Sequence, residues 1–549
     1  MRELVVHEVL KSALHNGPDS EIVYGGWRLT YAQLYERVLR LAQALKKRGV
    51  GRGTVLGVMD VNSHRYLELH YASSMLGAVL HTVNFRLPPD DLLYSLQHAG
   101  VEWMFVWEGF QQPLAKVRPL FRNWVWLTDG DASPEPGTPT HEELVQEGRA
   151  EVPDEATTVR ETDPYSIFYT TGTTGRPKGM LYRHRDMLLA SLGILHHLAT
   201  HPTGAAAGSR DVYMPCIPFF HIHGWGTALF VPYLGAKLVL PGKATPAEQL
   251  RLVVEEGVTW SNMVPTQLHM LLEAADQAGV AELKGYKILT GGSPVPSGLA
   301  RRARERGIAY SVIYGGSDQL AAAISVVPRG VEPGTPKAWE ALRTNMLPLA
   351  MVEVRLEDDD GHPVPADGKS IGEVLVRSPW LPDGYYKDSE RSREVYVDGW
   401  FRSGDLGVMN PDGTLYVVDR KKDAVKSGGE WIATGVLEAL ISEHPEVAAV
   451  AVIAQPDERW GERPLAVVQP RAGAGQENGG AVRDAGAGGG GVDHHARLEE
   501  SLRAHLAAAV EQGRLARFWI PDRFVFVEQF PLTSAGKINK VALRREMVR

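Results

Sequence analysis

The stretch from Thr30 to Val83 constrains the fold more than any other part of the chain. Thr30 opens a T-x-x-Q capping box with Gln33, and Leu34, Val38, Leu41 and Leu45 then repeat on one helical face. Lys46, Lys47 and Arg48 stand where a helix dipole favours cations, and Gly49 supplies the stop. An apolar run from Thr54 to Met59 follows, then a helical stretch from about Ser63 to Leu76 and a second apolar run, Ala78 to Val83. Strand, helix and strand at these lengths predict a parallel α/β layer. Similar units recur through residues 165–325, with apolar runs at Ala236 to Leu240 and Tyr286 to Thr290. The fold class expected is therefore α/β, with a large N-terminal domain of layered sheets.

From Val352 the pattern changes to short strands separated by Asp-Gly pairs at Asp360-Gly361, Asp383-Gly384, Asp398-Gly399 and Asp412-Gly413. Such pairs favour tight turns and predict a small β-rich subdomain. The basic cluster Arg420, Lys421, Lys422 then introduces a compact α+β pattern, so a boundary is expected at about residue 420, with residues 1–419 as one domain and 420–549 as a smaller mobile cap. Residues 471–495 are low-complexity and rich in glycine. Poly-glycine cannot offset its ordering entropy by burial, which predicts a flexible loop between a strand Pro464 to Val468 and a helix from about Asp493, with His494 and His495 solvated.

A length of 549 residues exceeds what one hydrophobic core supports and implies about two to four packed units. With 58 Lys+Arg against 66 Asp+Glu the net charge is −8, which offers no basic face to a nucleic-acid backbone. The single cysteine, Cys216, permits no internal disulfide. The opening residues lack the apolar run of a signal peptide, and no run of about 18 apolar residues occurs, so a cytoplasmic protein without a membrane span is expected.

Chemistry concentrates in Tyr169-Thr-Thr-Gly-Thr-Thr-Gly-Arg-Pro-Lys-Gly179. Four threonine hydroxyls, glycine-freed backbone N–H groups and the Lys178 charge suit a polyphosphate. The spacing is not that of a Walker loop, because Gly175 is followed by Arg-Pro-Lys-Gly. An isolated loop of this kind also reads as a plain Thr/Gly-rich turn. Further marked stretches are Pro218-Phe-Phe-His221, Met263-Val-Pro-Thr266, Gly291-Gly-Ser293, Tyr314-Gly-Gly-Ser-Asp318, Gly399-Trp-Phe-Arg-Ser-Gly-Asp405, Asp419-Arg-Lys-Lys-Asp423 and Pro531-Leu-Thr-Ser-Ala-Gly-Lys537.

Taken in order, these stretches resemble the motifs of the adenylate-forming superfamily: acyl-CoA synthetases, luciferases and peptide-synthetase adenylation domains. The match spans nearly the whole chain. The resemblance implies ATP, Mg²⁺ and CoA as cofactors. Thr170, Thr171, Gly172, Thr173, Thr174, Gly175 and Lys178 would hold the phosphates, and Tyr314, Gly292, Ser293, Ile313 and Gly315 would lie about the adenine. Ser317 would meet the α-phosphate, and Asp318 with the Thr173 hydroxyl would hold Mg²⁺. Asp405 would bind the ribose hydroxyls, which a carboxylate can do with its two oxygens.

Lys537 matches the adenylation lysine that bridges the carboxylate and the α-phosphate, Lys422 with Arg420 the hinge, and Gly428-Gly429-Glu430-Trp431 a loop beside the path of the CoA thiol, which His221 also lines. Ile222, Lys426 and Trp431 would contact the nucleotide, and Trp225 would gate the acyl tunnel. In this sequence Asp318 and Ser317 stand where the family usually has glutamate and threonine, and Ile313 where relatives often have glycine. A carboxylate shorter by about 1.5 Å requires a backbone shift or a bridging water to reach a metal.

The segment Phe219 to Phe230 contains no acidic residue. A buried α-ammonium would lack a counterion there, which disfavours amino-acid substrates. His221-Ile-His-Gly-Trp225 with Gly429-Glu-Trp-Ile432 is most similar to medium- and long-chain fatty acyl-CoA synthetases, in which dimers are common. A fatty acid substrate is expected. Transfer to a carrier protein, a short or aryl acid, and an idle nucleotide-binding homologue stand as alternatives.

Overall fold

The computed structural model describes residues 3–548 apart from 112, 113, 115, 116, 131, 171–175, 429, 472–489 and 533–537, and shows the expected mixed α/β layering. The chain divides into two compact units. One comprises Met1–Gly292, Arg306–Val354 and Val376–Arg402, and the other Ser293–Glu305, Arg355–Leu375 and Ser403–Arg549. The cut at about residue 420 read from sequence lies inside the second unit.

In the first unit a six-stranded sheet runs in the order Asn123–Leu127, Trp103–Trp107, Val55–Met59, Val79–Thr82, Pro164–Thr170, Lys178–Arg183. All neighbours are parallel except the last pair, which is antiparallel with Thr170 opposite Lys178. The helix Tyr31–Lys47 carries both legs of the capping box, Gln33 N–H to Thr30 Oγ1 and Thr30 N–H to Gln33 Oε1. The helix His64–Leu76 is capped by Ser63 and stopped by Gly77 at φ 65°, and each of its residues is buried. A helix buried all round presents no polar stripe, which is why its polar members, His64, Arg65, Glu68 and His70, give no amphipathic signal in the sequence.

A second run of strands in this unit is ordered Trp27–Thr30, Glu21–Tyr24, Leu238–Leu240, Tyr213–Pro215, Trp260–Met263, Lys287–Gly291, Ala309–Gly316, Leu320–Ser325 and Met346–Pro348. It is parallel from Glu21–Tyr24 to Ala309–Gly316 and antiparallel beyond. Gly291 must be glycine at this spacing, since a Cβ there would lie 2.5 Å from the Ile313 carbonyl oxygen.

The strand Trp400–Met409, from Ser403 onward part of the second unit, forms with Leu415–Arg420 a hairpin closed at Asp412-Gly413, as expected. Asp383-Gly384 differs: it is a bend, and the turn there falls at Tyr386 and Lys387 in the first unit. The C-terminal sheet pairs Glu430–Ile432, Val425–Ser427, Gly461–Pro470 and Val447–Asp457 antiparallel, with Arg523–Phe526 added parallel to Gly461–Pro470. Its core gathers Leu437, Leu440, Ile441, Val450, Val452, Leu502 and Leu506.

Most of the glycine-rich segment read as a flexible loop lies outside the described residues, and the helix after it begins at Gly490 rather than near Asp493. His494 and His495 are therefore helical, with His494 Nε2 4.0 Å from Glu446 and the His495 ring stacked on Phe526. Among the described residues no helix is long and apolar enough to cross a membrane.

Candidate functional site

The strand Lys178–Arg183 starts at the far side of the threonine-rich loop and aims Lys178 at the turn between Ala309–Gly316 and Leu320–Ser325. Lys178 Nζ lies 2.7 Å from Asp318 Oδ1 and donates to the Tyr385 hydroxyl at 2.5 Å. Tyr385 in turn donates to the same Asp318 oxygen at 2.8 Å, and the ammonium stands 4.3 Å from the centre of the tyrosine ring. Burial, then the Asp318 charge, push the Tyr385 phenol far above its ordinary value, so it remains a protonated donor. The turn itself is pinned through its backbone: Tyr182 donates to the Ser317 carbonyl at 2.6 Å and Tyr396 to the Asp318 carbonyl at 2.7 Å.

Sequence reasoning marked Lys178, Ser317 and Asp318 but missed Tyr182, Tyr385 and Tyr396. Each reaches its partner from 67 to 135 residues away in the chain, so no local sequence signal announces them. Thr170 closes its strand opposite Lys178, while Thr171, Gly172, Thr173, Thr174 and Gly175 lie outside the described residues, as do Gly429 and Lys537. Ile313 is buried opposite Gly291, Tyr314 follows half-buried on the same strand, and Gly315 has no room for a side chain, because a Cβ would meet the Leu320 carbonyl oxygen at 2.1 Å. Gly292 ends the strand region at φ 82°, and Ser293 follows it as the first residue of the second unit.

The segment 219–230 folds in a way its sequence did not announce. Ile222, His223, Gly224, Trp225 and Gly226 have φ of 51°, 50°, 64°, 56° and 81°, a turn of left-handed helix. For each of the three non-glycine residues this conformation costs about 1–2 kcal/mol. Asn262 Nδ2 and Thr227 Oγ1 both donate to the Gly224 carbonyl, at 2.7 and 2.9 Å, and Gly226 N–H reaches the Ile222 carbonyl at 2.9 Å. Behind the turn, the buried His223 ring meets His70 Nε2 at 3.2 Å, and His70 Nδ1 meets the Tyr165 hydroxyl at 2.9 Å. Burial holds His70 down to about 3 and His223 well below its ordinary value, so both are neutral near pH 7. His221 caps this turn, its N–H on the Pro218 carbonyl and its ring 4.5 Å from that of Phe220, and Trp225 is half-buried. Cys216 is buried and its thiol pushed up to about 12, which removes it as a nucleophile.

In the second unit, Asp405 is 5% exposed, and its Oδ1 lies 2.6 Å from Arg420 Nε, its cross-strand partner. Its backbone N–H donates to Ser403, whose hydroxyl donates to the Val374 carbonyl. Lys422 is exposed beside Lys421, which pairs with Asp359 and Glu373 at 2.9 and 3.3 Å. Lys426 pairs with Asp359 at 2.9 Å and lies 5.0 Å over the Trp431 ring across the Val425–Ser427/Glu430–Ile432 hairpin. Gly428 turns that hairpin at φ 60° and donates to the Trp460 carbonyl at 2.8 Å. Asp419 accepts from the backbone and hydroxyl of Thr434, and Lys540 bridges Thr434 and Glu438 at 2.7 Å each.

The first unit thus holds the Lys178–Asp318 pair and a strained, acid-free turn at 222–226, and the second holds the buried carboxylate of Asp405. Comparison with known proteins identifies the family. The sequence pattern of the AMP-binding enzyme family matches residues 10–386, and that of its C-terminal domain matches residues 436–537. Over 525 residues the chain is 34% identical to a long-chain-fatty-acid–CoA ligase of Thermus thermophilus, covering 94% of this chain and 90% of that one. It is 32% identical over 530 residues to a 3-methylmercaptopropionyl-CoA ligase of Ruegeria lacuscaerulensis, covering 94% and 92%. Its fold matches the crystal structure of an anthranilate CoA ligase in complex with anthranoyl-AMP, with a TM-score of 0.83 at 22% identity over 99% of this chain and 97% of that one.

Proposed function

Since the chain belongs to the AMP-binding enzyme family, we propose that it is an AMP-forming acid–CoA ligase whose acid is a fatty acid. The reaction has two halves. The carboxylate attacks the α-phosphate of ATP, giving acyl-adenylate and pyrophosphate. The CoA thiol then attacks the acyl carbon, giving the thioester and AMP. Lys178 and the 171–175 loop hold the β- and γ-phosphates, Asp405 the ribose, Tyr314 the adenine, and Ser317 the α-phosphate. Lys537 offsets the repulsion of two approaching anions, worth several kcal/mol at 4 Å in a medium of effective dielectric about 20. A rotation about Lys422 exchanges Lys537 for the 428–431 loop between the two halves.

The Asp318 carboxylate, a hard oxygen donor on the hairpin turn beside Lys178, would hold Mg²⁺, and Thr173, which lies outside the described residues, would be the second protein ligand. When bound, the cation supplies charge neutralisation on the phosphate oxygens.

The observation that carries the fatty acid reading is the acid-free segment 219–230, whose Phe219, Phe220, Ala228, Leu229 and Phe230 are all buried. These side chains pack in the protein core, Phe219 on Tyr66 and Phe230 on Trp260, and the segment has no carboxylate to pair with an ammonium, which favours an acid that carries none. The relatives supply a second reading: one acts on a short thioether acid by its name, and the matched fold holds an aryl adenylate. A panel of saturated fatty acids of graded length, short acids and aryl acids, run with Mg-ATP and CoA and followed by pyrophosphate release, decides between them. The fatty acids are expected to give the highest kcat/KM. Preference for an aryl or short acid overturns that reading, CoA-independent consumption of ATP points to another acceptor, and ATP binding without turnover on any acid overturns the ligase itself.

A further inference from the structure

Tyr385 reaches Asp318 from a segment 67 residues further along the chain, and its own backbone is fixed independently of that contact. Its N–H donates to Ser392 Oγ at 2.8 Å, it bridges Met180 on the strand that begins with Lys178, and Tyr386 N–H donates to the Gly179 carbonyl at 2.7 Å. The hydroxyl therefore arrives at Asp318 from a rigid base. Both contacts made by the Asp318 carboxylate, from Lys178 Nζ and from Tyr385 OH, are to Oδ1, and among the described residues Oδ2 has no hydrogen-bond partner.

The two partners of Oδ1 differ in what they do when a nucleotide and its cation arrive. An ammonium is drawn to phosphate and repelled by a divalent cation, so Lys178 has reason to leave Asp318. A phenol is neutral, remains a donor, and has no such reason. The hydroxyl can hold Oδ1 while Oδ2 faces the metal, which is how an outer hydrogen bond orients a ligand. Tyr396 and Tyr182 hold the backbone of the same turn, so the short side chain is aimed at both ends.

We propose that Tyr385 is a positioning residue for the divalent cation, fixing the Asp318 carboxylate so that an aspartate serves where one more carbon of reach would otherwise be needed. The inference rests on the reading of Asp318 as a metal ligand, and the test separates the two. Mn²⁺ binding is measured by electron paramagnetic resonance with a non-hydrolysable ATP analogue, on the whole chain and on Asp318→Asn, Tyr385→Phe, Asp318→Glu and the Asp318→Glu/Tyr385→Phe double variant.

The expected result is that Asp318→Asn and Tyr385→Phe each weaken Mn²⁺ binding about tenfold or more, while the double variant binds within about twofold of Asp318→Glu alone, because the longer side chain no longer depends on the hydroxyl. Affinity for the analogue without metal is unchanged in Tyr385→Phe. In turnover, its half-saturating Mg²⁺ rises by the same factor and kcat at saturating Mg²⁺ stays within about threefold. Wild-type Mn²⁺ affinity in Tyr385→Phe, with loss in Asp318→Asn, overturns the role of Tyr385 alone. Wild-type affinity in Asp318→Asn overturns the metal reading and the inference together. If Tyr385→Phe lowers the melting temperature, the double variant decides: loss of Mn²⁺ affinity there beyond that of Asp318→Glu overturns the proposal.

Discussion

Glu68 and Asp318 are both carboxylates of the first unit met by a cation and an aromatic or imidazole neighbour, and their surroundings differ completely. Glu68 sits inside the fully buried helix His64–Leu76, with Arg37 Nε 2.8 Å from one oxygen and His141 Nε2 3.1 Å from the other. Arg37 is itself shared with Glu142 at 2.7 Å. Burial alone would raise Glu68, but His141 and Arg37 outweigh it and hold the carboxyl down to about 2. Asp318 sits on a hairpin turn with its side chain 21% exposed, and its side-chain contacts among the described residues occupy one oxygen. One cluster is closed on every side, whereas the other retains coordination to give. Strong perturbation of a carboxyl thus marks scaffold here as readily as a site, and incomplete satisfaction at a strand end separates the two.

Loss on the site side should remove chemistry and leave the fold, and loss on the buried side should do the reverse. The largest effect should come from Lys537→Ala. Acid-dependent pyrophosphate exchange is expected to fall about a thousandfold, thioester formation from supplied acyl-adenylate to persist, and the melting temperature to remain at the wild-type value. Unchanged exchange removes Lys537 from the first half-reaction, and a collapse in melting temperature breaks the comparison. Glu68→Ala should do the opposite. It leaves Arg37 and His141 without their buried partner, a loss of about 3–5 kcal/mol, read as earlier unfolding in heat or urea, with the specific activity of the folded enzyme within about twofold of wild type. An activity loss larger than the stability loss would place Glu68 on the site side.

What could be read from the sequence follows the range of the forces involved. The helix Tyr31–Lys47 was legible to its cap because the Thr30–Gln33 box acts over three residues. The Asp-Gly hairpin at 412–413 was legible for the same reason. Lys178 and Asp318 stood out through the motifs around them, but Tyr385 did not, because its partners lie 207 and 67 residues away and nothing local marks the convergence. The left-handed turn at 222–226 was equally hidden. Only Gly224 and Gly226 hint at positive φ, and the Asn262 and Thr227 hydrogen bonds that stabilise the non-glycine positions are tertiary. The buried helix His64–Leu76 was legible as a helical stretch from about Ser63 to Leu76, while its polar side chains gave no indication that they face protein.

The smallest effect of a single substitution should be seen in the pH dependence of stability, on the buried side of the comparison. His64, His70 and His184 are each held down to about 3, by burial before any other cause, against an ordinary value of 6.5. Between those values the unfolded chain takes up a proton that the folded chain refuses, so stability is complete above about pH 6.5 and falls as pH drops, by up to about 1.4 kcal/mol per pH unit for each group. Glu68 acts in the same direction at lower pH. Its folded value lies below its ordinary 4.5, so its contribution is present above that pH and lost as pH falls toward 2. The melting temperature should therefore begin to decline below about pH 6.5, before carboxylates titrate. In His70→Gln the decline should be shallower by about one proton, because the buried imidazole that refuses protonation is gone. A melting temperature flat from pH 7 to pH 5, or a slope unchanged in that variant, would mean that these rings accept protons in place, and the buried histidines would then belong with groups that water can reach.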